Sequence, residues 1–145
     1  MRNRALQNTL YGVVLAVWVT SFFLPSINLG AHNDPGWKAA GLSATMLFTL
    51  EKNALGMHLY FGSFWIANLF MLASPLGLHR ARRGKAGVFL ALMMVWDLLS
   101  LSCAGYAAMS DARLATLRVG YWVWEATLWA MTLVLWTARR QSKTP

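Results

Sequence analysis

Charge is scarce in this chain. Lys, Arg, Asp and Glu make up 12% of its 145 residues, against ~25% in an ordinary soluble domain. Too few charges are present to cover a water-facing surface of normal size. Acids are scarcer than bases: five Asp and Glu stand against 13 Lys and Arg, for a formal net charge of +8. Such an excess can mark a nucleic-acid partner. Here the bases lie in short gaps between apolar runs and not on one polar face, which argues against nucleic acid. Cysteine is almost missing. The single Cys103 excludes an internal disulfide framework and a Cys-rich zinc site, and its apolar neighbours mark it as a small packing residue. Strand-like alternation is absent, as are a P-loop, a dinucleotide fingerprint and a G-x-S-x-G motif. No catalytic residue, cofactor or metal site is therefore expected.

What is abundant is apolar surface. Hydrophobic residues reach 57%, with eight Trp and seven Phe, and the mean hydropathy is +0.44. The apolar residues fall in four runs, at about 9–27, 54–78, 87–109 and 119–138. A membrane-spanning helix needs ~20 mostly apolar residues, and a chain in lipid must satisfy its backbone polar groups internally, which favours helices. The expected fold is all-α: one integral-membrane four-helix bundle over 1–145.

The bases orient it. Arg2 and Arg4 precede the first run, and Arg80, Arg82, Arg83 and Lys85 fill the "HRARRGK" gap between the second and third. Arg139, Arg140 and Lys143 follow the fourth, so these regions hold nine of the 13 bases. The positive-inside rule then puts both termini in the cytoplasm, in agreement with four spans. The first run is longer than a signal-peptide apolar region and lacks a clear A-x-A site, so it is expected to be retained. The basic gap is expected to meet anionic lipid head groups through Arg80, Arg82, Arg83 and Lys85. Between the first two runs lies an external loop, 28–53. Its Asp34-Pro35 reads as a helix N-cap with proline at the first position. Trp37, Met46, Leu47, Phe48 and Leu50 suggest that it lies at the membrane surface, as an interfacial connector or a binding lid.

Three polar residues stand near span centres: Asn68, Asp97 and Glu125. A central acid costs roughly 2.5–3.5 kcal/mol on insertion scales and seldom faces lipid. No Lys or Arg lies in any run, so neither acid has an obvious counter-ion there. With Leu78 and Gly87 level, Asn68 and Asp97 fall at one depth and are expected to pair across the second and third helices. Aligning the next turn at Met109 and Val119 puts Glu125 near Ser100 and Ala104, and Asp97 beside Thr132. The acids then differ in depth by roughly 9 Å at 1.5 Å per residue, too far for a close dyad. On the last helix Trp122, Glu125, Trp129, Thr132 and Trp136 are spaced 3, 4, 3 and 4, which aligns them on one face. Ser100, Ala104 and Ala108 form a small-residue stripe on which that face can pack. The Trp129 indole needs an acceptor, and Glu125 is within reach. Trp18, Trp65, Trp96 and Trp124 read as packing or lipid-facing groups, and Pro75 as a kink in the second helix.

The stretches "SFFLPSINLG", "PGWKAAGL" and "GYWVWEATLWAMTLVL" resemble small uncharacterised bacterial membrane proteins, in which a "FLP" exit, a "PGW" loop and a closing "GYxxW" helix recur. The resemblance implies a four-helix protein of the bacterial inner membrane with no known activity. It departs at Glu125, where the pattern implies an apolar or small residue.

Function is expected to be non-enzymatic: an accessory or immunity-like protein acting through helix–helix, lipid or partner contacts, as a possible homo-oligomer. The alternative is a small proton-coupled transporter or channel subunit in which Asp97 and Glu125 are the protonatable sites. A lipid-modifying enzyme using His32 and His58 is a third reading. His32, Asp34, Glu51 and His58 share the external side, but without metal-ligand spacing.

Overall fold

Pro25 sets the first departure from these expectations. The structure is a computed structural model describing residues 2–28, 33–49, 55–110 and 117–142. Helix α1 (Arg2–Ser21) stops short of the expected boundary at Ile27. Three turn residues follow, and Pro25 disfavours a helical residue before it and offers no N–H of its own. The chain extends instead as β1 (Pro25–Asn28), antiparallel to β2 (Asn33–Pro35). Sequence alternation gives no hint of these strands because each has only three or four residues.

A second correction follows directly. The described residues include a fifth helix, α2 (Gly36–Thr49), inside the expected external loop. Its "GWKAAGLSATMLFT" is rich in good helix formers, but its 14 residues are too few to span a bilayer. Pro35 ends β2 and does not open the helix. Helices α3 (Leu55–Arg82), α4 (Gly87–Ser110) and α5 (Val119–Gln141) correspond to the other three runs. Pro75 lies inside α3, which continues to Arg82. Gly84, with φ +73°, makes the left-handed turn into α4. The chain is thus mostly helical. Among the described residues, two helices are long and apolar enough to cross a membrane by length and composition alone, over Phe61–Arg82 and Gly87–Gly105. The polar residues at the start of α1, and the acid and threonines of α5, dilute the hydropathy of the other two long helices.

Helix α5 is central, packing on α1, α3, α4 and β1. The innermost side chains are Met71 of α3, Met93 of α4, and Leu128, Met131 and Leu135 of α5. Unbranched Met fills the irregular gaps where helices cross. Exposed positions are also apolar: Val13 and Val17 on α1, Leu69 and Leu72 on α3, Val95 and Leu98 on α4, and Leu133 on α5.

The stretches "SFFLPSINLG", "PGWKAAGL" and the start of "GYWVWEATLW" meet at one place. Trp37 N–H donates to Phe22 O at 2.9 Å, Gly36 N–H to Leu24 O at 3.1 Å, and Arg118 N–H to Ser26 O at 2.9 Å. The "FLP" exit is therefore clamped between the "PGW" turn and the start of the "GY" helix. Both glycines are needed for this approach. A Cβ on Gly120 would lie 2.8 Å from the backbone oxygens of Leu24 and Pro25, and one on Gly36 would lie 2.9 Å from Phe22 Cα. A Cβ on Gly41, in contrast, would meet nothing within 4 Å. Gly120→Ala is expected to destabilise the purified protein by about 1–3 kcal/mol through overpacking. Gly41→Ala should be neutral or gain about 0.5–1 kcal/mol from helix propensity. Unfolding in detergent followed by circular dichroism checks both.

Candidate functional site

Each of the three central polar residues is buried: Asn68 is 7% exposed, Asp97 2% and Glu125 3%. A buried polar group is costly unless it is hydrogen-bonded, and all three have partners. Asn68 uses its amide as a junction. Its Oδ1 accepts from the Trp18 indole of α1 at 3.1 Å and from the Trp124 indole of α5 at 2.9 Å. Its Nδ2 donates to Phe64 O, one turn earlier on α3, at 2.9 Å. One side chain thus joins three helices.

Helices α4 and α5 are joined by a reciprocal pair. Thr132 Oγ1 of α5 donates to Asp97 Oδ2 of α4 at 2.8 Å. Ser100 Oγ of α4 donates to Glu125 Oε2 of α5 at 2.9 Å. Each helix offers one acid and one hydroxyl. Glu125 receives a second bond at Oε1, from the Trp129 indole at 3.0 Å. Counting depth along the two helices from their connecting turn brings the same neighbours together.

Other expectations are corrected. Asn68 and Asp97 do not pair; each is bonded elsewhere. Helix α3 runs four residues beyond Leu78, to Arg82, but the difference lies in facing: the Asn68 amide is turned toward α1 and α5, and the Asp97 carboxyl toward α5. Of the tryptophans read as packing or lipid-facing groups, Trp18 and Trp124 are packed in the core and donate their indole protons to Asn68. Their signal was the amide of Asn68, since an indole and an amide are natural buried partners. Trp122 does not pack in the expected stripe. It is 48% exposed, and Trp136 is 39% exposed with the Arg140 guanidinium 3.8 Å from its ring centre. Because α5 has neighbours on several sides, its buried face is broad and includes Tyr121, Trp124, Leu128 and Leu135. Trp122, Trp129 and Trp136, seven residues apart, follow the edge of that face. Ser100 and Ala104 are buried on α4 as the small-residue stripe requires; Ala108 lies in the helix with its side chain outside the described positions.

A cavity of about 40 Å³ adjoins this layer. At roughly 10–15 Å³ each it has room for a few waters. All five helices and β1 line it, with Ser26, Ser43 and Ser63 among its polar groups and Phe64, Tyr121 and Trp124 among its aromatic ones. Ser21, Ser26 and Ser43 give their protons to nearby backbone oxygens. Ser100 also lines the cavity, so Glu125 is one hydroxyl from its interior.

At the α3–α4 turn the basic residues divide. Arg80, Arg83 and Lys85 line an open cleft of about 430 Å³. Arg82 is not among its lining residues; its guanidinium donates to Asn8 Oδ1 on α1. Toward the other end, Asp34 lies 3.5 Å from Lys38. Among the described residues no group of His, Cys, Asp and Glu is arranged to hold a metal ion. His32 and Glu51 lie outside the described residues.

Comparison with known proteins finds no match: no family model, no curated protein and no solved structure resembles this chain significantly.

The Asp97–Thr132 bridge should show measurable coupling. Thr132→Val and Asp97→Asn, alone and together, are expected to give a coupling energy of about 0.6–1.7 kcal/mol, the range for interhelical hydrogen bonds in membrane proteins. Pairing Asp97→Asn with Trp122→Phe, at an exposed position, should give none. Reversible denaturation in mixed micelles is the measurement.

Proposed function

We propose that this chain is a non-enzymatic integral protein of the bacterial inner membrane, with α1, α3, α4 and α5 spanning and both termini cytoplasmic. It acts through helix–helix, lipid or partner contacts, as an accessory or immunity-like component. The observation that carries the reading is the inverted distribution of side chains. Each long helix exposes Leu or Val, among them Val13, Leu72, Val95 and Leu133, while Asn68, Asp97 and Glu125 are buried. Exposed apolar faces on several helices suit lipid or a partner helix and not water. The satisfied hydrogen bonds of the interior support a structural use of its polar groups. Orientation follows from the excess of Lys and Arg at both termini and the α3–α4 turn.

A second reading, a proton-coupled transporter or channel subunit, is favoured by one feature. Ser100 lines the cavity and also bonds to Glu125, so water there needs only one hydroxyl to communicate with the carboxyl. Four helices leave little room for a pore, so this reading requires an oligomer. Proteoliposomes loaded with a pH-sensitive dye distinguish the two. The leading reading predicts that wild type and the Asp97→Asn and Glu125→Gln variants dissipate an imposed pH gradient no faster than empty vesicles. Flux in wild type, lost in either well-assembled variant, would establish the second reading.

A further inference from the structure

The bases at the α3–α4 turn are not equivalent, and their arrangement specifies a ligand. Arg80 lies in the last turn of α3, Arg83 in the turn that follows it, and Lys85 just before α4, and all three line one cleft. Below them the cleft becomes apolar, with Leu76 on one wall and Val88 and Leu92 on the other. These three are 55%, 76% and 44% exposed, so nothing among the described residues covers them. Phe89 also lines the cleft. It lies against Gly77, where a Cβ would come within 3.0 Å of its ring, and its ring meets that of Phe70 edge-on at 5.5 Å. The ring is therefore held in place from the α3 side. No acid lines the cleft.

Both walls continue in the same pattern. Leu72 and Leu69 follow Leu76 on α3 at helical spacing, and Val95 follows Leu92 on α4; all are exposed. From Arg80 to Leu69 the helix rises about 17 Å at 1.5 Å per residue. A three-base rim above an uncovered apolar furrow matches a molecule with an anionic head and a long apolar tail. Inorganic phosphate would use the rim and leave the furrow bare.

We propose that the α3–α4 cleft holds one anionic phospholipid, its phosphate at Arg80, Arg83 and Lys85 and an acyl chain along Leu76, Val88 and Leu92. The proposal rests on the membrane reading above and adds a defined site to it. Arg82 provides the discriminating control. It belongs to the same basic run but is engaged with Asn8, so it lies outside the site. A diffuse attraction between a basic patch and an anionic surface treats all the bases alike; a built site does not.

The experiment is native mass spectrometry of the full chain released from micelles, titrated with phosphatidylglycerol, phosphatidylcholine or inorganic phosphate. Wild type is expected to retain one phosphatidylglycerol in preference to phosphatidylcholine, and phosphate is not expected to displace it. At ~1 kcal/mol per base near an anionic head group, Arg80→Gln/Arg83→Gln should weaken retention on the order of 30-fold. Arg82→Gln should stay within about two-fold of wild type, and Arg80→Lys/Arg83→Lys should recover most of the loss. Equal weakening by Arg82→Gln and the double variant, or displacement by phosphate alone, would overturn the proposal. Failure of the membrane reading shows separately, as a chain released from membranes by alkaline carbonate. A chain that resists carbonate but whose lipid retention ignores Arg80 and Arg83 refutes the cleft alone.

Discussion

The amide of Asn68 is the point on which the arrangement of the long helices depends. Its single oxygen accepts indole protons from Trp18 and Trp124, so α1 and α5 are fixed against α3 by one acceptor. Loss of that acceptor would strand two buried indoles, and an unsatisfied buried donor costs about 1–3 kcal/mol. Helix α4 is attached by the two acid–hydroxyl bonds to α5. These bonds are directional, whereas the Met and Leu contacts around them admit many packings. A polar layer of this kind sets which face of each helix turns inward.

The interior layer and the apolar exterior have one physical origin. In the proposed membrane setting, lipid tails are as apolar as the Leu and Val that face them. Transfer from water then provides little drive for one helix to bind another. Interhelical hydrogen bonds and close packing of small residues take that role. Ser100 and Ala104 let α4 approach α5, and Gly36 and Gly120 let backbone meet backbone around Pro25. The basic turn lies outside this layer. It divides into Arg82, which ties α3 to α1, and three bases left to face the surroundings.

Much of the α4–α5 contact was legible in the sequence. Two helices joined by a short connection have a depth register that can be counted, and hydroxyls opposite acids then identify themselves: Ser100 for Glu125 and Thr132 for Asp97. The same count failed for Asn68 and Asp97 because depth does not say which neighbour a side chain faces: Asn68 bonds toward α1 and α5, and Asp97 toward α5. The Asn68 junction was illegible for another reason. It joins α1, α3 and α5, and no local spacing reports which helices of a bundle are neighbours. The small strands were missed, and α2 was seen only as a helix start at Asp34-Pro35, because a search for span-length apolar runs passes over elements of 3, 4 and 14 residues. The convergence of "FLP", "PGW" and "GY" was invisible as chemistry, since a glycine in sequence does not reveal which backbone approaches it.

The central claim is that the exposed apolar faces meet lipid while the polar layer is interior. The chain has a single cysteine, so one labelling position is easily made. The direct measurement is the collisional accessibility of a nitroxide at position 98, introduced as Leu98→Cys with Cys103→Ala, in vesicle-reconstituted protein. Leu98 is 52% exposed and one residue from buried Asp97. The account predicts that dissolved oxygen relaxes this label far more effectively than a water-soluble nickel chelate. A label relaxed mainly by the nickel chelate would place this face in water and contradict the account.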